Sequence, residues 1–174
     1  MKTPILKTDR LQLRPLTTAD LPAVYAYSAK PEYSRFLPYP SPTSVEDLQN
    51  VFGETLANNA DKDFYLWAVC LTDANALIGL VELSLDSPTE ASLHYEVADR
   101  HWNQGYATEA ARAALDWGFR QFPVLKDVLA DAQAGNLGSR RVLEKCGLTQ
   151  FHQQLVMLEK SNEKVLVCHY RRSR

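Results

Sequence analysis

The sequence predicts a mixed α/β protein folded as one domain across residues 1–174. Three observations carry that expectation. Short segments of alternating apolar residues recur along the chain. One long segment, 106–122, instead places its apolar residues at helical spacing. No internal repeat or low-complexity linker separates the two kinds of segment, and their order reads βααβββαβαββ.

The elements follow in order. Leu11-Gln12-Leu13-Arg14-Pro15 alternates as a short strand. Thr17 or Thr18 caps a helix through Leu21, Val24, Tyr25 and Tyr27. Residues 31–42 hold four prolines, with Tyr33, Phe36 and Tyr39 among them, which forbids a continuous helix. Ser44, with Asp47 three residues on, opens a second helix reaching about Asn58. Segments 64–71 and 77–85 form a hairpin about Asp73-Ala74-Asn75, broken at Ser87-Pro88. Residues 91–97 make a third strand with Leu93, Tyr95 and Val97 on one face. The helix 106–122 follows, its stripe made of Ala107, Ala110, Ala111, Ala114, Leu115 and Phe119, and Pro123 stops it. Residues 128–132 form a strand, and 139–146 a short helix closed by Gly147 in the left-handed region. Segments 154–159 and 165–170 end the chain as a hairpin around Ser161-Asn162.

Charge and composition exclude several classes. The net charge is −2, and Lys and Arg are scattered, so the basic footprint of a nucleic-acid-binding protein is missing. The N-terminus has no apolar run of signal-peptide type, and no segment is long and apolar enough to span a bilayer. Cys70, Cys146 and Cys168 are odd in number, far apart and without zinc spacing. They read as buried reduced thiols, which points to a cytoplasmic protein without a metal.

Two stretches carry chemistry. In the first, the strand through Tyr95, Glu96 and Val97 leads by a polar loop to Gly105, where a helix begins with Tyr106, Ala107 and Thr108. Unpaired N–H groups and the positive end of the helix dipole make such a start a pyrophosphate site, and Gly105 and Ala107 allow close backbone approach. The same features also suit a plain strand-to-helix turn. In the second, Asn136 follows a strand end and Ser139 opens a helix; both suit helix capping as well as catalysis.

Taken together, Trp102-Asn103-Gln104-Gly105-Tyr106-Ala107-Thr108-Glu109-Ala110 and the block from Asn136 through Ser139 to Leu148 resemble the two signature blocks of the GNAT acetyltransferases. Thr8-Asp9-Arg10-Leu11-Gln12-Leu13-Arg14-Pro15-Leu16 looks like the opening strand of the branch that acetylates ribosomal-protein alanine N-termini. One position departs from the superfamily's broad pattern: Trp102 stands where Gln or Arg is frequent, although an aromatic resembles the habit of this branch. The resemblance implies the GNAT acyl-CoA N-acyltransferase fold, a twisted mixed sheet of about seven strands flanked by four helices. It also implies acetyl-CoA as co-substrate and a dimer as the common assembly.

Carried over residue by residue, the resemblance has the backbone at Tyr95, Glu96 and Val97 pair with the pantetheine arm of acetyl-CoA. Asn103, Gln104, Gly105, Tyr106, Ala107 and Thr108 hold the pyrophosphate, and Asn136 and Ser139 face the arm near the thioester. Arg140 or Arg141 is a candidate for the adenosine 3′-phosphate, though a solvated helix face suits either. Transfer is direct, so the amine must lose a proton, the developing oxyanion needs a donor such as a backbone N–H near Tyr95 to Val97, and the leaving thiolate is met by Ser139. Glu96 is the first candidate for general base, with Glu159, His94 and Asp131 as further options and a water relay as another. Tyr33, Phe36 and Tyr39 are expected to contact the acceptor. That acceptor is a primary amine, a protein N-terminus or a small amine such as an amino sugar, amino acid or polyamine. The competing reading outside enzymes is a non-catalytic acyl-CoA-binding module.

Overall fold

The strand β3 (Phe64–Leu71) is buried on both faces and divides the molecule into two layers. Tyr65, Trp67 and Val69 pack into one core, and Leu66, Ala68 and Cys70 into the other. A strand covered on both faces reads as a nearly continuous apolar run, as this one does. The computed structural model describes residues 2–57 and 63–174.

Around β3 lie β1 (Leu6–Lys7), β2 (Leu11–Pro15), β4 (Leu77–Ser87), β5 (Glu90–Val97), β6 (Asp127–Gln133), β7 (Thr149–Leu158) and β8 (Glu163–Ser173). They form one sheet in the order β1-β2-β3-β4-β5-β6-β8-β7. All neighbours are antiparallel except β5 and β6. The helices are α1 (Leu21–Ser28), α2 (Pro31–Ser34), α3 (Val45–Ala57), α4 (Tyr106–Gln121) and α5 (Leu137–Lys145). The parallel pair requires a crossover, which α4 supplies. Its small residues Ala110, Ala111 and Ala114 are fully buried against the sheet, with Tyr65, Trp67, Val81, Leu83 and Leu93 in the same core. The first and third helices cover the other face through Leu21, Val24, Tyr27 and Leu48.

Eight strands and five helices stand among the described residues, against the expected seven and four. The extra strand, β1, is only two residues long and pairs with β2, too short to show alternation. The extra helix, α2, is a single turn that Pro31 opens, where its ring is tolerated and its missing N–H has no consequence. Strand β7 runs back to Thr149 because it is an edge strand exposed on both faces; backbone pairing with β8 defines it without an apolar pattern. The capping pair at the start of α3 is present, with the Asp47 N–H donating to Ser44 Oγ at 3.1 Å. The expected end of that helix at Asn58 lies outside the described residues. The three cysteines are free and buried. Among the described residues no helix is long and apolar enough to cross a membrane.

One feature of the sheet positions the site. The pairing of β5 with β6 covers only Glu90↔Asp127, Ala91↔Val128 and Ser92↔Leu129. Beyond it β5 stays with β4 as far as Gly79↔Val97, while β6 stays with β8 as far as Gln133↔Val167. The two strands part, leaving the edge of β5 from Leu93 to Val97 without a strand partner among the described residues. Gly79 holds β5 on the β4 side: a Cβ there would lie 2.1 Å from the Glu96 carbonyl oxygen and 2.9 Å from Val97 Cα. Both contacts are with backbone, so no side chain can swing away. Gly79→Ala is expected to destabilise by about 3 kcal/mol, roughly 6–12 °C in a thermal melt. A melting temperature equal to that of the wild type would show that β5 gives way freely.

Candidate active site

The turn from Asn103 to Gly105 is tight because two of its residues take left-handed conformations, Asn103 at φ 59° and Gly105 at φ 84°. Gly105 is the N-cap of α4, and among the described residues no side chain caps the helix. The N–H groups of its first turn therefore have no intrahelical acceptor and follow an exposed loop, a donor set suited to an anion. The turn is anchored from beneath. Thr8 Oγ1 donates to Glu109 Oε1 at 2.6 Å and Arg10 Nε donates to Glu109 Oε2 at 2.7 Å. Arg10 also donates its backbone N–H to Glu109 Oε1 at 3.1 Å and a guanidinium N–H to the Gln104 carbonyl at 3.1 Å. Its guanidinium lies 4.5 Å from the centre of the Tyr106 ring. Trp102 turns its indole N–H onto the Val97 carbonyl at 2.6 Å, joining the end of β5 to this loop.

The two faces of β5 carry different groups. Tyr95 lies on the face with Leu93 and Val97, as expected, and reaches the first turn of α5. Its hydroxyl donates to the Ser139 carbonyl at 2.9 Å and lies 2.8 Å from Ser139 Oγ. Asn136 caps this helix, its side-chain oxygen accepting the Ser139 N–H at 3.1 Å, so the capping reading of Asn136 holds and α5 begins two residues earlier than expected.

Glu96 points to the opposite face, beneath α1. The Tyr27 hydroxyl donates to Glu96 Oε1 at 2.5 Å, and the Tyr33 hydroxyl donates to Oε2. Burial, and then the nearby Glu96 charge, push the Tyr39 phenol up to about 12. Burial pushes the Glu96 carboxyl above its usual range, the two tyrosine hydroxyls pull it down, and the Glu82 charge raises it further; the net direction is up. Burial likewise raises Glu82, which lies across from His94.

Tyr33 thus reaches Glu96 and Tyr39 lies close enough to feel its charge, whereas Phe36 turns aside. Its ring lies 3.6 Å from the position of a Gly135 Cβ, and its carbonyl accepts from Gln133 Nε2 at 3.2 Å. Asp131 is paired with His169 Nδ1 at 2.7 Å, His94 is exposed, and Glu159 is exposed in the turn after β7. Arg140 is engaged within the protein, donating to Tyr170 Oη at 2.9 Å and the Ala134 carbonyl at 3.3 Å; Arg141 is exposed. Sequence reasoning missed Tyr27 and Glu82. The signal for Glu82 was its place as a lone charge between Val81 and Leu83 in an apolar strand. Tyr27 carried no signal beyond its place in a helical stripe.

Residues 10–149 match the model of a family described as the acetyltransferase (GNAT) domain. The chain is 29% identical over 146 residues to YoaA of Bacillus subtilis, an uncharacterized N-acetyltransferase, covering 83% of this chain and 82% of that one. Its fold is that of spermidine N-acetyltransferase from Vibrio cholerae, solved with CoA and spermine, at a TM-score of 0.81 and 19% identity over 95% and 96% of the two chains. It is equally that of the Salmonella typhimurium acetyltransferase that modifies the N-terminal serine of ribosomal protein L7/L12, at a TM-score of 0.83 and 16% identity over 98% and 99%.

Burial opposes ionisation of Glu109, but the hydrogen bonds from Thr8 and Arg10 and the Arg10 charge outweigh it and hold the carboxyl below its usual range. A carboxylate with a depressed folded pKa contributes stability above its unfolded value, about 4.3, and loses it as pH falls through the folded value. Glu109→Gln should therefore melt below the wild type at pH 7, with the deficit closing below about pH 4. A deficit of equal size at both pH values would deny the carboxylate this role.

Proposed function

Because the chain belongs to the GNAT acetyltransferase family and is an N-acetyltransferase, we propose that it moves an acetyl group from acetyl-CoA directly to a primary amine whose ammonium is received by Glu96. The observation that carries this reading is the alternation of β5. It sets a hydroxyl pair, Tyr95 and Ser139, on one side of the open strand and a half-buried carboxylate, Glu96, on the other.

The residues present fit acetyl-CoA. The edge of β5 from Leu93 to Val97, paired by no described strand and with its Val97 carbonyl held by Trp102, suits an extended arm bearing amide groups, and the uncapped start of α4 behind Gly105 suits a pyrophosphate. The bound thioester supplies an activated acetyl group. The chain's own residues do the rest. Ionised Glu96 takes the proton that an ammonium must lose before its nitrogen can attack, and Tyr27 and Tyr33 hold that carboxylate in place. Ser139 meets the leaving sulfur from the first turn of α5.

The acceptor is a cationic amine. Glu96 and Glu82 face the same side of the sheet, on neighbouring strands, and Tyr33 and Tyr39 form its wall. A protein N-terminal amine fits, in keeping with the opening strand's likeness to the ribosomal-protein branch. The presence of Glu82 beside Glu96 supports a second reading, a small amine with a further positive charge. A panel of peptides with free N-termini and of diamines, assayed for acetylated product by mass spectrometry, separates the two.

Binding of acetyl-CoA at about a hundred times its dissociation constant should stabilise the protein by roughly 2.7 kcal/mol, about 5–11 °C in melting temperature. The shift should vanish in Gly105→Glu; no shift in the wild type would remove the co-substrate reading. For the base, activity requires ionised Glu96, so the rate should rise with pH through a limb above the usual carboxylate range of about 4.3. Tyr33→Phe deletes a donor to the carboxylate and should move that limb to higher pH. Glu96→Gln should lower kcat by about a hundredfold or more. An unmoved limb in Tyr33→Phe would assign it to the acceptor amine instead.

A further inference from the structure

Ser139 has one hydroxyl proton, and in the resting protein a neighbouring oxygen competes for it. Tyr95 stands on the open segment of β5, past the last pair with β6, and its ring reaches across to the first turn of α5. Its hydroxyl has two acceptors at nearly equal distance, the Ser139 carbonyl at 2.9 Å and Ser139 Oγ at 2.8 Å. When the Tyr95 proton points to the carbonyl, Ser139 must give its own proton to Tyr95. When the Tyr95 proton points to Oγ, the Ser139 proton is free to point elsewhere. The Ser139 backbone is itself fixed, since Asn136 holds its N–H at 3.1 Å. Only the two hydroxyl rotors remain to move.

We propose that Tyr95 is a positioning residue for the leaving group: its hydroxyl turns onto Ser139 Oγ as the carbon–sulfur bond breaks, so that Ser139 gives its hydrogen bond to the departing thiolate. This rests on the reading of Ser139 as the residue that meets the sulfur. The amine nitrogen, already stripped of one proton by Glu96, forms the carbon–nitrogen bond. The carbon–sulfur bond breaks with its electron pair going to sulfur. The amide nitrogen sheds its remaining extra proton to solvent, and the thiolate takes one up from solvent on release. Glu96 returns its proton to solvent, so neither hydroxyl is consumed. A donor that is itself hydrogen-bonded is polarised and donates more strongly, which gives the Tyr95 contact its effect on sulfur. Burial raises the Tyr95 phenol above its ordinary value, so it stays a neutral donor throughout the working pH range.

The test is steady-state kinetics on the full chain with acetyl-CoA varied at a fixed saturating amine, for Tyr95→Phe, Ser139→Ala and the double variant. Thermal melts are run with and without acetyl-CoA. Tyr95→Phe keeps the ring and should keep the melting temperature and the acetyl-CoA shift, while kcat falls by about tenfold and KM for acetyl-CoA stays within about twofold. The double variant should be no slower than Ser139→Ala alone, because Tyr95 acts only through that hydroxyl. Wild-type kcat in Tyr95→Phe beside a slow Ser139→Ala overturns the inference and leaves the reading of Ser139 standing. Independent, multiplying losses overturn it as well. Full kcat in Ser139→Ala overturns the reading beneath it. A fall in the acetyl-CoA shift of Tyr95→Phe would make Tyr95 a binding group rather than one that positions Ser139.

Discussion

The parting of β5 from β6 after three parallel pairs is the constraint on which the rest of the site depends. Each strand keeps its other neighbour, β4 on one side and β8 on the other, so the sheet opens without losing its frame. Backbone groups along an unpaired strand edge need partners, and an extended ligand with amide groups is one way to provide them. Gly79 is the condition for this arrangement. Without a side chain there, β4 can follow β5 closely enough to hold it at the far end of the opening.

From the opening follows a division of labour along a single strand. Successive residues of a strand face opposite ways. Tyr95 therefore reaches the α5 side, where the leaving group is read to depart, and Glu96 the α1 side, where the amine is read to arrive. The carboxylate is costly to hold, since burial disfavours its charge. Tyr27 and Tyr33 offset part of that cost with charge-assisted hydrogen bonds and leave a carboxylate whose proton affinity exceeds that of an ordinary one. That tuning suits the proposed role, in which Glu96 holds a proton taken from an ammonium and then releases it.

The turn at Gly105, proposed to hold the pyrophosphate, obeys a different logic. Its donors are free because no side chain caps α4, and a loop in that state needs support from elsewhere. The support comes from the turn between β1 and β2. Thr8 and Arg10 bind Glu109 one turn into the helix, and Arg10 also holds the Gln104 carbonyl. The opening motif and the first signature block, nearly a hundred residues apart in sequence, are thus two halves of one clamp.

Much of this was legible beforehand. Segment 64–71 was readable as a strand from its apolar run, α4 from its alanine stripe, and the Gly105 turn from a glycine between a strand and a helix, because each signal is local. The reach of β7 was not legible, since an exposed edge strand is held by backbone pairing and leaves no apolar pattern. Nor was the direction of Glu96, because alternation alone does not say which face meets which helix. Composition, periodicity and the spacing of the motif blocks determined the class of fold, the family resemblance and the place of the Gly105 turn. Only the tertiary structure brought Tyr27, Tyr33 and Glu96 together, set Tyr95 on Ser139 and locked Arg10 to Glu109. Those contacts join residues from 44 to 99 positions apart, and nothing in local sequence encodes which side chains a folded sheet will bring face to face.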